Sequence, residues 1–170
     1  MGNTHLAIDI GASSGRCILG RLEGDRMVLE EVHRFANRQV RRNGHDCWDL
    51  DLLWQGILDG LKACKACGTI PATIGIDTWA VDFVLLDREG RLLGDAVAYR
   101  DSRTRGMDAV VERAIPAAEL YARTGIQKQS FNTIYQLGAL QAEHPEQLDR
   151  AGSLLMIPDY FNYLLTGVKK

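Results

Sequence analysis

Apolar positions along the chain change period several times, and each change marks an element. Residues 5–10, His-Leu-Ala-Ile-Asp-Ile, form a short apolar run that ends at Gly11 and predicts a strand. Residues 17–22 and 27–32 are two further apolar segments, and Glu23-Gly24-Asp25-Arg26 between them predicts a hairpin turn. From Asp49 the pattern becomes helical: Leu50, Leu53, Trp54, Ile57, Leu58 and Leu61 share one face. Asp49 or Asp51 is the candidate N-cap and Gly68 the stop. Ile74-Gly75-Ile76-Asp77 predicts a buried strand, and residues 81–86 and 91–93 a second hairpin around Asp87-Arg88-Glu89-Gly90.

The remainder is expected to be mostly helical. Candidates are residues 104–114, and 116–123 with Pro116 first and Gly125 after the end. Asn132 is a candidate cap for a helix carrying Ile134, Leu137 and Leu140, which stops before Pro145. Residues 154–157 predict a short strand, and 158–165, followed by Gly167, a last helix. Three strands, a helix, a strand, then helices with one late strand predict an α/β domain with a mixed sheet flanked by helices. A helix after the third strand lets the fourth run parallel to the first through a right-handed crossover. No linker, repeat or low-complexity segment divides the chain, so residues 1–170 are read as one domain.

Composition narrows the classes. An apolar fraction of 46% with a net charge of only −2 excludes disorder as a reading of the whole chain. The balance of 20 basic and 22 acidic residues argues against nucleic acid as a partner. Arg38, Arg41 and Arg42 form a small basic run without aromatic neighbours, read as solvated loop surface. No apolar stretch approaches the ~18 residues of a membrane helix, so no membrane partner is expected. The N-terminus lacks the pattern of a signal peptide, and Leu6 breaks the myristoylation motif that Gly2 would begin. The expectation is a cytoplasmic protein. Cys64-Lys-Ala-Cys67 has the spacing of a redox or zinc pair. However, no second pair exists, and His5, His33, His45 and His144 are scattered. The pair also ends the expected helix, whereas redox pairs open one, so all four cysteines are read as ordinary thiols.

Three segments carry candidate chemistry. Asp9-Ile-Gly11-Ala12-Ser13-Ser14-Gly15-Arg16 joins two expected strands. It is neither a P-loop nor a dinucleotide fingerprint, because it lacks the Lys-Ser/Thr and leads into a strand. Its composition nevertheless suits phosphate: two glycines allow close backbone approach, turn N–H groups form an anion nest, and Ser13, Ser14 and Arg16 add donors. Asp9 at the strand end could hold Mg²⁺ through water. An ordinary hairpin turn rich in Gly and Ser is the competing reading. The second segment is Asp77-Thr-Trp79-Ala80-Val-Asp82, with Asp77 at a strand end, where open α/β sheets place ligands. A Trp beside carboxylates suits a sugar, and a core Trp with a capping Asp is the alternative. The third, Tyr99-Arg100-Asp101-Ser-Arg103, reads as solvated or locally paired charge. No Ser-His-Asp or Cys-His arrangement, and no general base, is placed by spacing.

In order along the chain, seven segments carry a resemblance. They are Ala7-Ile-Asp9-Ile-Gly-Ala-Ser-Ser-Gly-Arg16, His33-Arg-Phe35, Trp48-Asp49, Ile74-Gly-Ile-Asp-Thr-Trp-Ala-Val-Asp-Phe-Val-Leu-Leu-Asp87, Tyr99-Arg-Asp-Ser-Arg-Thr104, Phe131-Asn-Thr-Ile-Tyr-Gln-Leu137 and Pro158-Asp-Tyr-Phe-Asn-Tyr-Leu-Leu-Thr-Gly167. Together they resemble the N-terminal, sugar-binding domain of the FGGY family of carbohydrate kinases, most closely the members that phosphorylate L-rhamnulose. The resemblance implies a ribonuclease-H-like fold of the actin and sugar-kinase superfamily, with a C-terminal ATP-binding domain as partner. It implies a ketose and ATP as small-molecule partners and Mg²⁺ as cofactor. Ala12, Ser13, Ser14, Gly15 and Arg16 would contact the ATP phosphates, Asp9 would lie near Mg²⁺, and Trp79, Ala80 and Asp82 would face the ketose. The γ-phosphoryl of ATP would pass to the 1-hydroxyl of L-rhamnulose, a carboxylate accepting the hydroxyl proton. Other FGGY kinases, acting on xylulose, fuculose or glycerol, and a non-catalytic sugar- or partner-binding module are the rival implications.

Two departures accompany the resemblance. The pattern has glycine where this chain has Ala80, which keeps the backbone N–H but adds a methyl group toward the sugar. The family's catalytic aspartate lies in a Ser-His-Asp-Thr segment that this chain does not contain, so the chain resembles a fragment and is expected to be inactive alone.

Overall fold

The computed structural model describes residues 4–169; Gly2 lies outside them, while Leu6, which breaks its acylation motif, lies within. The chain packs as two compact units. The first comprises residues 4–39, 48–80 and 157–169, the second residues 40–47 and 81–156.

In the first unit, strands β1 (His5–Ile10), β2 (Ser14–Glu23) and β3 (Arg26–Ala36) form a meander, and β6 (Thr73–Asp77) completes a four-stranded sheet of order β3-β2-β1-β6. β1 runs antiparallel to β2 and parallel to β6, which makes the sheet mixed, as expected. The β2–β3 turn uses Gly24 at φ 62°, a left-handed position that suits glycine. Alternation along β1 and β2 turns Leu6, Ile8, Ile10, Cys17 and Leu19 inward. Helix α1 (Leu50–Ala66) covers that face with Leu53, Ile57 and Cys64. Asp49 caps it by accepting the Leu52 N–H at 3.3 Å, and Gly68 at φ 71° follows its end. Helix α6 (Ile157–Thr166) joins this layer, with Phe161 stacked on Trp54 at 6.4 Å.

The opposite face of the sheet is open. Met27 and Leu29 are 58% and 66% exposed, and with Ala7, Ile18 and Ile76 they border a concavity of about 540 Å³. β6 was expected to be buried. It is an edge strand with exposed Thr73, Ile74, Gly75 and Asp77, because a short apolar run does not reveal whether a second neighbour covers it.

The second unit is built around antiparallel β7 (Phe83–Leu86) and β8 (Ser153–Met156). Its core joins Phe83, Leu85, Leu93 and Leu140, with Leu137, Leu148 and Met156 packed against them. The helices are α2 (Met107–Val111), α3 (Ala117–Thr124), α4 (Thr133–Glu143) and α5 (Pro145–Arg150), preceded by a 3₁₀ turn, Ser102–Thr104. The helix expected over residues 104–114 is thus cut to five residues, since Gly106 adopts φ 76°. α5 was not expected, and the hairpin expected after β7 is a tight turn with one bridge, Leu86 to Leu92.

Strands β4 (Gln39–Arg42) and β5 (His45–Trp48) were also missed. Asn43 and Gly44 turn between them at φ 49° and 87°, the Asn-Gly hairpin signal that polar flanks disguised. The basic run therefore lies on and beside a strand, with Arg41 paired to Asp46 at 2.9 Å and Arg42 near Asp95 at 3.7 Å.

Close approach of α1 to the sheet depends on glycine. A methyl group on Gly56 would overlap the Phe35 ring, as would one on Gly15, and one on Gly60 would overlap the Cys17 sulfur. Gly56→Ala should therefore destabilise the protein by about 1–3 kcal/mol through overpacking, against the ~1 kcal/mol that alanine's helix propensity favours. Urea unfolding followed by tryptophan fluorescence tests this, with Phe35→Leu expected to restore part of the loss in the Gly56→Ala background. A more stable Gly56→Ala protein would contradict the close approach.

Candidate functional site

The candidate phosphate turn lies where β1 ends. Register pairs Asp9 with Arg16 across the antiparallel side and with Asp77 across the parallel side, so one strand end collects all three. Arg16 Nε donates to Asp9 Oδ2 at 2.9 Å, with both side chains nearly half exposed. The turn is closed by the Gly11 N–H to the Ser14 carbonyl at 2.9 Å. Asn37 pins it from β3's end: its N–H donates to the Ser13 carbonyl at 3.0 Å and its amide to the Gly11 carbonyl at 2.8 Å. Asn37 is buried and was not singled out from sequence, because nothing in a lone Asn after an apolar run marks it.

Gly11, Ala12 and Ser13 are exposed. Neither Gly11 nor Gly15 has a positive φ, and Gly15 is required by the Phe35 ring rather than by a left-handed turn. The donor set suits a magnesium nucleotide. Two carboxylates, Asp9 and Asp77, stand on neighbouring strand ends, where Mg²⁺ would keep most of its waters, and Arg16 and an exposed polar turn stand beside them. Among the described residues no three metal-ligating side chains cluster, so a fully protein-caged ion is not what this edge offers.

The second sequence segment is divided by its surroundings. Trp79 is half buried and rests on buried Trp48, ring centroids 4.0 Å apart, while Ala80 is exposed. Trp48 is the support that sequence reading left unassigned. Asp82, by contrast, is 0% exposed. Its Oδ2 accepts the Tyr99 N–H at 3.0 Å and its Oδ1 the Gln136 amide at 2.9 Å.

In the Tyr99–Arg103 segment the locally paired reading applies at Asp101, which is buried and works as a staple. It accepts from the Asp46 N–H at 2.9 Å, the Arg103 N–H at 2.9 Å and the His45 ring at 3.0 Å. Burial pushes its carboxyl upward, but these donors outweigh it and hold the group below the ordinary carboxylate range. The cysteines are all free thiols. Burial, with Cys64 nearby, pushes Cys17 up to about 11, and burial likewise raises Cys47 and Cys64, while Cys67 is exposed. No helix among the described residues is long and apolar enough to cross a membrane.

The fold is shared with solved structures of sugar kinases. Gluconate kinase from Lactobacillus acidophilus superposes with a TM-score of 0.80 over 99% of this chain and 34% of that one, at 16% identity. Xylulose kinase from Rhodospirillum rubrum gives 0.80 over 98% of this chain and 35% of that one, at 21% identity. Residues 4–170 match the N-terminal domain of the FGGY family of carbohydrate kinases, and the chain belongs to that family. A rhamnulokinase from Oceanobacillus iheyensis is 53% identical over 169 residues, 99% of this chain and 36% of that protein. The rhamnulokinase of Bacillus subtilis is 48% identical over 163 residues, 96% of this chain and 33% of that protein. The chain thus spans about a third of the length of the curated relatives it matches.

Two outcomes follow from the titrating groups. Asp101 has a folded pKa below its unfolded value, so its contribution is present above about pH 4 and is lost as pH falls through the folded value. Asp101→Asn should be less stable than wild type at pH 7, with the gap closing toward pH 3; parallel stability curves in urea would contradict this. A thiol reagent at pH 8 should titrate Cys67 alone in the native protein and all four cysteines after denaturation.

Proposed function

We propose that this domain supplies the ketose-binding part of an ATP-dependent kinase whose substrate is L-rhamnulose, phosphorylated at its 1-hydroxyl. The observation that carries the reading is the 53% identity, along 99% of the chain, to a protein named rhamnulokinase. The exposed strand-end turn of Ala12, Ser13, Ser14, Gly15 and Arg16 would receive the ATP phosphates. Asp9 would hold Mg²⁺ through water, with Asp77 beside it. Bound there, the ion would neutralise charge on the transferring phosphoryl group. The Arg16–Asp9 pair holds the cation and the carboxylate against each other, which limits their cost when neither has a ligand. Trp79, backed by Trp48, would offer a flat apolar surface to the sugar, and exposed Ala80 its backbone. The base that takes the hydroxyl proton would come from the part of the protein corresponding to the relatives' remaining two thirds, as would most of the adenosine site.

The test is a substrate panel. The whole protein, given Mg·ATP, should show its highest kcat/KM with L-rhamnulose among L-rhamnulose, L-xylulose, L-fuculose and glycerol, and Ala80→Gly should change the ketose KM while leaving that for ATP within about twofold. The 170-residue chain by itself should turn over none of them. Preference for another sugar would move the assignment within the family, and robust turnover by the 170-residue chain would refute the division of labour.

A further inference from the structure

Val81 is a β-branched residue at φ 70°, a left-handed conformation that such a side chain rarely adopts. Val81 is half buried and lines a cavity of about 540 Å³ bounded by Leu120, Tyr121, Ile126 and Tyr135. What holds the backbone is its carbonyl. Thr133 Oγ1 donates to it at 2.8 Å and Gln136 Nε2 at 3.3 Å. Both donors sit on the first turn of α4, three residues apart, and therefore on one face.

Gln136 does more than this. It is only 1% exposed, and its Nε2 directs its two hydrogens over shorter distances to Asp82 Oδ1 at 2.9 Å and the Phe131 carbonyl at 3.0 Å, so the 3.3 Å contact with Val81 shares one of them. Its Oε1 accepts from Arg103 Nη2 at 2.8 Å. The amide orientation is thereby set, since the opposite one would face its oxygen to a carboxylate and two carbonyls. Asp82 in turn accepts the Tyr99 N–H, and the Tyr99 and Phe131 rings meet edge to face at 5.7 Å. One buried amide thus ties together Val81, Tyr99 and Phe131, three half-buried residues.

We propose that Gln136 is a positioning residue for ketose binding, acting by locking Tyr99 and Phe131 to the Asp82 carboxylate and by assisting Thr133 in holding Val81 left-handed. The proposal rests on the kinase reading above. Val81 is bonded to Ala80, so its φ sets how the Ala80–Val81 peptide is presented. A buried amide with both ends bonded supplies a fixed geometry that an apolar residue of equal length cannot.

The test combines a geometric and a kinetic readout on Gln136→Met. In the 170-residue chain, NMR should show Val81 losing its left-handed backbone shifts and the Tyr99 amide exchanging at least about tenfold faster, as expected when a buried hydrogen bond is lost. In the whole protein the ketose KM should rise about tenfold with the ATP KM within twofold, as when one substrate's binding geometry is loosened. Val81→Gly removes the need for restraint, so adding Gln136→Met in that background should raise the ketose KM by less than it does alone. If Gln136→Met does not fold, Thr133→Val, which deletes only one bond to the Val81 carbonyl, should shift the same Val81 signals and the ketose KM in the same direction. Unchanged Val81 and Tyr99 signals, or equal changes in both KM values, would overturn the proposal. A wild-type protein that phosphorylates no ketose would instead sink the kinase reading and the ketose clause together, leaving Val81's restraint to be judged by NMR alone.

Discussion

Strand β1 is hydrogen-bonded on both sides, antiparallel to β2 and parallel to β6, and the candidate chemistry of the first unit depends on that pairing. The antiparallel side needs only a tight turn, so Arg16 returns directly opposite Asp9. The parallel side needs a crossover long enough to bring the chain back to the start of the sheet, and α1 lies within that connection. Cationic and anionic side chains then stand at one strand end, with an exposed polar turn beside them. Glycine makes the crossover compact: Gly56 and Gly60 let α1 settle onto Phe35 and Cys17, and Gly15 admits the same ring from the sheet side. The residue that reads as a ligand-binding glycine is thus first a packing glycine.

The second unit solves a different problem. Three carboxylates, Asp82, Asp87 and Asp101, are buried there, and a buried charge is tolerable only when its oxygens are well supplied with donors. Backbone N–H groups provide much of that supply: Tyr99 for Asp82, and Asp46 and Arg103 for Asp101. The bonds from Tyr99 and Asp46 join segments 17 and 55 positions apart in the chain, so Asp82 and Asp101 specify geometry as well as being satisfied.

Much of this was legible in the sequence. The alternation of Leu6, Ile8 and Ile10, the helical face of Leu50, Leu53 and Ile57, and the caps at Asp49, Pro116 and Gly125 are local signals, and local signals carry an element's type and ends. The segments that resemble FGGY kinases located the strand-end turn and the Trp79 region because those patterns are contiguous. Asn43-Gly44 was equally local, and polar neighbours obscured it. Burial was less legible. Ile74 and Ile76 are as apolar as a core strand, yet β6 lies at an edge, and Asp101 sits among charges yet is buried.

By itself, then, the chain determined periodicity, turn chemistry and the family to which it belongs, since each is written in residues close together. Only the tertiary structure decided that Asp9, Arg16 and Asp77 share one strand end, that Gly15 makes room for Phe35, that Asn37 bonds the backbone at Gly11, and that Thr133 bonds it at Val81. The reason is physical. A hydrogen bond between residues 26 or 55 positions apart leaves no periodic trace. A buried polar side chain is chosen for the partners that folding brings to it, not for its neighbours along the chain.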